Sequence, residues 1–238
     1  MTFTGADLYT FTSNLLLGYN MDKTIFYWLL NLAKFNREQS RPWVILRTKD
    51  TTQLATPQQN KISNSMYQTP FSLPSNFLNW YSPNRSIVGV SLDGNTFRWY
   101  QEITLERQAE YKDDNQKFYI DLANKHLFLC GILDQPYTLN QFYIGSSADI
   151  TDNTSWVFPG QFAPILAFDV AKMYREMFDY DVVNVQQGEM IGKSAENIFK
   201  MMTEWDGTMQ ESQLEGVDYQ NSGNNAPFNS RVVGDNNG

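Results

Sequence analysis

Residues 87–103 read IVGVSLDGNTFRWYQEI, and this stretch sets the class of fold. Ile87, Val88 and Val90 are β-branched and suit a pleated, half-buried surface. Asp93-Gly94 is a tight-turn pair, and Phe97 to Ile103 supplies the return strand. The stretch therefore reads as a β-hairpin. Downstream, Phe118, Ile120 and Leu122 alternate before Asn124-Lys125, and Leu127, Leu129 and Gly131 follow. A second hairpin is expected there, with Gln141 to Ile144 as a further edge. Together these segments make a small antiparallel sheet, whose open edges need covering or pairing by another element or another chain.

On both sides of this β segment the period changes to that of a helix. Thr4 and Asp7 have the spacing of a capping box, and Leu8, Phe11, Leu15 and Leu16 recur on one face up to Gly18, where the helix is expected to stop. Asp22 is positioned to cap a second helix, whose residues Ile25, Trp28, Leu29, Leu32 and Phe35 form a broad apolar stripe. Pro42 stops it, and Trp43 to Leu46 reads as a strand or an extended arm. Thr48 to Asn64 is rich in Thr, Gln and Asn and reads as an exposed loop. Pro74 is expected to open a helical turn that tucks Phe77 and Leu78 inward.

From Phe158 onward the pattern stays helical. Phe162, Leu166, Val170, Met173 and Met177 recur at helical spacing after Pro159 and Pro164. Ile191, Ala195, Ile198, Met202, Trp205 and Met209 then follow alternating spacings of four and three, a heptad seam about three repeats long. Such a seam serves equally to pack a helix within one subunit or to join two subunits. Beyond Leu214 the chain turns to Gly, Asn, Ser and Asp, with Tyr219, Phe228, Val232 and Val233 as isolated apolar anchors. A tail of that composition is disordered alone or ordered against a partner.

The expected fold is thus α+β: a helical body of N-terminal and C-terminal helices, an inserted small antiparallel β-sheet, and an extended C-terminal tail. The expected boundaries are 1–84 for the N-terminal helices with their polar loop and 85–157 for the antiparallel hairpins. The C-terminal helices occupy 158–214 and the extended docking tail 215–238.

Composition limits the function. The 238 residues are 42% hydrophobic and 15% aromatic but only 18% charged, enough apolar material for a sizeable core. Cys130 is the sole cysteine, which argues against a secreted disulfide scaffold and for assembly in a reducing cytoplasm. Met1 to Asp7 lacks a basic leader, and the apolar run Ile25 to Ala33 is too short to span a bilayer, so no membrane partner is expected. Asn84-Arg85-Ser86 and Asn153-Thr154-Ser155 match glycosylation acceptors, but nothing marks the chain for secretion. Residues 1–120 hold 12 Lys/Arg against 10 Asp/Glu, and residues 121–238 hold 6 against 16, a net of −10 in the second half. That balance lacks the basic clusters that grip phosphates. It suits a solvated acidic face, or a surface that DNA must slide past.

Searching for chemistry returns little. His126 and Cys130 lie four apart on one predicted strand and share a face, yet nothing nearby would lower the thiol pKa or orient the imidazole, and Cys130 reads better as a small buried hydrophobe. Two soft ligands cannot complete a zinc shell. Asp149, Asp152 and Asn153 form an oxygen-rich loop without the residues that complete a calcium loop, so turn chemistry accounts for them. Asp113 and Asp114 are adjacent and would face opposite ways on a strand. No nucleophile elbow, phosphate loop or dinucleotide fingerprint is present. The expectation is no catalytic residue, no metal and no cofactor: a structural subunit, not an enzyme. One alternative is a β-rich glycan- or receptor-binding module using Trp80, Tyr81, Trp99 and Tyr100 as an aromatic platform, against which stands a core role for the same residues.

The order of segments carries a resemblance. A helical start, Leu73-Pro74-x-x-Phe77-Leu78, a pair of hairpins, Trp156-Val157-Phe158-Pro159, then Phe162-Ala163-Pro164-Ile165-Leu166-Ala167-Phe168 and a helical finish are similar to the head-to-tail adaptor and connector proteins of tailed bacteriophages. The likeness spans roughly residues 4–215, and the aromatic β segment near 85–145 departs from it. The resemblance implies a virion protein assembled in the host cytoplasm. It would form a homo-oligomeric ring, commonly dodecameric, that docks beneath the portal protein, meets tail or neck proteins, and passes viral DNA through its lumen without sequence-specific binding. Carried onto this chain, it implies a ring body around 161–180 and 188–212 and a docking arm at 216–238. The candidate subunit or portal contacts are Ile191, Ile198, Met202, Trp205, Met209, Tyr219, Phe228, Val232 and Val233.

Overall fold

The computed structural model describes residues 2–16, 21–56, 70–80, 87–94, 96–111, 114, 116–178 and 185–215. The chain divides into two compact units. One is built from residues 1–46 and 146–213, the other from residues 47–145 together with 214–238.

In the first unit the helices are α1 (Gly5–Leu15), α2 (Lys23–Gln39), α3 (Pro164–Phe178) and α4 (Val185–Glu215). The capping box at Thr4 and Asp7 forms, each side chain bonded to the other's backbone N–H. These bonds from the Thr4 backbone and side chain hold the Asp7 carboxyl below its ordinary range. Asp22 caps α2 by accepting from the backbone N–H groups of Thr24 at 2.8 Å and Ile25 at 3.2 Å. Helix α1 ends at Leu15, and Gly18 lies outside the described residues. α3 packs against both α1 and α2 through Ile165, Leu166, Ala167, Val170 and Ala171, all buried. The Arg37 guanidinium on α2 grips the Asp169 carboxylate on α3 with two bonds of 2.6 Å, the fork geometry that favours Arg at such sites.

Trp43 to Leu46 is neither strand nor arm: Val44–Leu46 is a short 3-10 turn. The buried Asp206 carboxylate on α4 imposes it, accepting the Val44 N–H at 2.7 Å and pairing with Arg41 at 3.0 Å.

Among the described residues of the second unit, nine strands form one sheet: β1 (Arg47–Asp50), β2 (Leu54–Ala55), β3 (Phe71–Ser72), β4 (Phe77–Trp80), β5 (Val88–Ser91), β6 (Arg98–Glu102), β7 (Lys117–Asp121), β8 (His126–Leu129) and β9 (Tyr137–Gly145). Their order is β1-β9-β5-β6-β7-β8-β3, with β2 and β4 also paired to β9. Both expected hairpins are present, with Val88 opposite Tyr100 and Phe118 opposite Leu129. The tight turn of the first places Gly94 at φ 77°, and the second turns through Lys125 at φ 55°.

The expectation of a helical body with a small inserted antiparallel sheet is overturned. The sheet is large, curled and mixed, because β6 and β7 run parallel, Gln101 beside Lys117. It also recruits segments that read as loop or helix. Arg47–Asp50 and Leu54–Ala55 pair with β9, and Pro74 sits in a turn between β3 and β4, closed by the Phe77 N–H on the Pro74 carbonyl at 3.0 Å. Strand β9 is the reason. It is nine residues long, buried almost throughout, and pairs with β1, β2, β4 and β5. Burial on both faces removes the apolar-polar alternation that marks a strand. The core of this unit lies on one face of the sheet, around Phe71, Trp80, Val88, Tyr100, Phe118 and Leu127.

Candidate interaction surface

Helix α2 presents three different stripes. Phe26, Leu29, Leu30 and Ala33 are buried in the core of the helical unit. Beside them runs a polar stripe, Tyr27, Asn31, Lys34 and Glu38, spaced four, three and four residues apart so that all lie along one line of the helix. Each bonds to the segment 146–156. The Tyr27 hydroxyl meets the Asp152 carboxylate. Asn31 exchanges bonds with the Ile150 backbone at 2.8 and 3.2 Å, and Lys34 donates to the carbonyls of Ser147 at 2.6 Å and Ala148 at 3.3 Å.

Glu38, fully buried, accepts from the Ser147 N–H at 3.1 Å and the Trp156 indole N–H at 2.9 Å, and from the Ser147 hydroxyl. Lys34, also buried, lies 4.0 Å from Glu38 and 3.4 Å from Asp149. Burial, and after it the Asp152 carboxylate, pushes the Tyr27 hydroxyl well up. The bonds from Tyr27 and Lys23 hold Asp152 down. Asp149 and Asp152 thus answer groups of α2, and among the described residues no cluster of acids, His and Cys is arranged for a metal ion.

The third stripe is apolar and faces outward. Trp28, Leu32 and Phe35 are 57%, 36% and 40% exposed, although the sequence sets them in one stripe with the buried Leu29. With Tyr27, Asn31, Lys34, Ser146 and Asp149 they line a groove of about 530 Å³. A helix apolar on two opposite sides suits a position with protein on both. The 146–156 segment fixes one wall of the groove, and the α2 backbone fixes the other.

The heptad seam of α4 is occupied inside the helical unit. Ile191, Ala195 and Met202 are buried. Trp205 lies 5.7 Å from the Phe162 ring and 6.3 Å from Phe158, and Ile198 and Met209 are half-buried. Between seam positions, Phe199 meets Trp43 at 5.9 Å and carries the Arg37 guanidinium 5.0 Å above its ring. The resembling motif around Trp156 and Phe158 belongs to this cluster, its two rings 4.3 Å apart. About a quarter-turn around α4 from the seam, Met190 and Met201 are exposed, about three turns apart on one line. Tyr219, Phe228, Val232 and Val233 lie outside the described residues.

Of the four aromatics of the glycan-platform alternative, the three described ones form no exposed face. Trp80 and Tyr100 are buried in the core of the sheet unit, and Tyr81 lies outside the described residues. Trp99 is half-buried against Gly89, where an added Cβ would come within 3.0 Å of its ring, and it stacks on Phe97 at 4.9 Å. Cys130 is buried; burial, with a smaller push from Asp114, raises its thiol to about 11, the reverse of nucleophile activation. Among the described residues no helix is long and apolar enough to cross a membrane.

The stripes of α2 are the features that the sequence reading missed. The signal was available: polar residues at 27, 31, 34 and 38 hold a heptad line beside two apolar lines, which leaves little of the helix for solvent. No protein-family model matches this chain, and no curated protein matches it.

Proposed function

We propose that this chain is a structural subunit that acts by binding other proteins, and specifically a ring-forming head-to-tail connector of a tailed bacteriophage, joining portal to tail around a DNA passage. The observation that carries the reading is the outward stripe Trp28, Leu32 and Phe35, on a helix already buried along its other apolar side. A ring interface is heterologous: each subunit needs two unlike patches that fit one another. The α2 groove is one such patch, open and partly apolar, and the exposed Met190 and Met201 on α4, with Ser194 and Asn197 between them, offer flexible side chains of the kind that adapt to such a surface. The neighbouring copy of the chain is therefore the proposed occupant of the groove. The segment order similar to connectors supplies the virion setting, and the acidic second half suits a lumen that passes DNA without gripping it.

Mass photometry of the purified protein tests this reading, alone and with its portal-like partner. Wild type is expected to form a closed species of about a dozen copies, and Leu32→Glu to remain a folded monomer, since a change at so exposed a site costs within about 0.5 kcal/mol of stability. Deleting 216–238 is expected to leave the fold intact and abolish binding to the portal-like partner. A Leu32→Glu protein that assembles like wild type removes α2 from the interface. Undiminished portal binding by the truncated chain removes the docking arm.

A further inference from the structure

Strand β3 stands at one end of the strand order, paired on one side to β8 through Phe71–Leu127 and Ser72–His126. On its other side no strand pairs with it among the described residues, yet the outward backbone of Ser72 is satisfied. The Gln53 side chain accepts the Ser72 N–H at 2.9 Å and donates to the Ser72 carbonyl at 2.7 Å. A primary amide carries a carbonyl and an N–H side by side, as a peptide group does. Two bonds exchanged with one residue are what an opposing residue supplies in an antiparallel ladder.

Gln53 is itself anchored at the far end of the same sheet. Its carbonyl accepts the Leu139 N–H at 2.9 Å, and the next residues, Leu54 and Ala55, pair with β9. The side chain therefore bridges the two ends of the curled sheet. Gln141 adds a second donor to the Ser72 carbonyl at 3.2 Å, whereas the Ser72 N–H has Gln53 alone among the described partners.

We propose that Gln53 is an edge guard: its amide stands in for a missing strand, closes the seam between β2 and β3, and keeps Ser72 from pairing with an extended segment of a second copy of this chain. An unpaired edge is a template for such pairing. Two residues of β3 would suffice to start a ladder that the buried Phe71 and Leu73 already hold in register.

The test compares wild type, Gln53→Ala and Gln53→Glu by site-resolved amide exchange and by sedimentation velocity over a concentration series. In Gln53→Ala the Ser72 amide is expected to exchange about five to ten times faster, the value of one hydrogen bond, while Phe118 and Leu127 exchange as in wild type. The variant should also gain concentration-dependent association beyond the closed species that wild type forms. Gln53→Glu keeps an acceptor for the Ser72 N–H but sets an anionic oxygen against its carbonyl, so its Ser72 protection should fall at neutral pH and return in acid, where the protonated carboxyl donates again. Unchanged exchange at Ser72 in Gln53→Ala overturns the bridge. Equal acceleration at Phe118 and Leu127 shows a global loss of stability and overturns the local assignment. Faster exchange without new association overturns the guarding role.

Discussion

Replacing Glu38 tests whether the polar stripe of α2 holds the wall of the groove. The buried carboxylate accepts three bonds, from the Ser147 N–H, the Ser147 hydroxyl and the Trp156 indole. Hydrogen bonds to a charged group contribute about 1.5–3 kcal/mol each, but they are not additive, because Lys34 keeps its carbonyl partners and water can enter the space. Breaking a buried ionic cluster by removing one member costs about 3–5 kcal/mol, and Glu38→Ala is expected in that range. For a chain of this length each kcal/mol moves the midpoint by about 2–4 °C, so the melting temperature should fall by about 6–20 °C. Glu38→Gln should cost less: one oxygen remains an acceptor, and the new amide donor faces donors. Differential scanning calorimetry gives the midpoints. A double-mutant cycle with Trp156→Phe should show a coupling of at least about 1 kcal/mol, as expected of directly bonded side chains. A shift below about 2 °C for Glu38→Ala, or additive costs in the cycle, would refute the account of this network.

Two further outcomes follow from single groups. Burial holds the Glu102 carboxyl above its ordinary 4.5, with partial relief from the Trp80 indole. A carboxyl that binds its proton more tightly when folded penalises folding as pH rises from 4.5 through the raised value, so Glu102→Gln should be more stable than wild type at pH 7, with the gain vanishing below pH 4.5. Urea midpoints measured across that range decide it, and an equal or lower midpoint for the variant at pH 7 contradicts the assignment. At Cys130, a thiol raised to about 11 leaves far less thiolate at neutral pH than a free cysteine. Iodoacetamide should label it at least about tenfold more slowly in the native protein than in urea, read by intact mass. Native labelling at the rate of the unfolded chain would show that the thiol is open.

The parts of the fold legible in the sequence are those fixed by neighbouring residues. Thr4 with Asp7, Asp22 ahead of α2, and the two hairpins depend on spacings of a few positions, and each appears where those spacings place it. Contacts between distant residues governed the rest. Strand β9 carries the fully buried pair Asn140 and Gln141 at its centre, so it has the composition of an edge and the position of a hub. Arg47–Asp50 and Leu54–Ala55 are strands because β9 offers them a ladder; their own Lys49, Asp50 and Ala55 are of types depleted in strands. Val44 turns because Asp206, far along the chain, accepts its N–H. The candidate contacts divide on the same principle. A heptad line shows that a helix packs, and only the tertiary structure shows that Ile191 and Met202 pack within their own unit.

The same reasoning explains why the outward stripe of α2, and not the heptad seam of α4, carries the proposed contact. A surface helix of a monomer needs one apolar stripe, and α4 fits that description: Ile191, Ala195 and Met202 inward, with Lys193, Glu196, Lys200 and Glu204 outward. On α2 the core takes Phe26, Leu29, Leu30 and Ala33, and the 146–156 segment takes Tyr27, Asn31, Lys34 and Glu38. What remains toward solvent includes Trp28, Leu32 and Phe35, large apolar groups that the fold of one chain leaves uncovered. Burying the 57%, 36% and 40% of these three side chains that is exposed is worth about 2–4 kcal/mol. That stabilisation is absent from the single chain and available to the proposed ring, where it grows with every copy added until the ring closes.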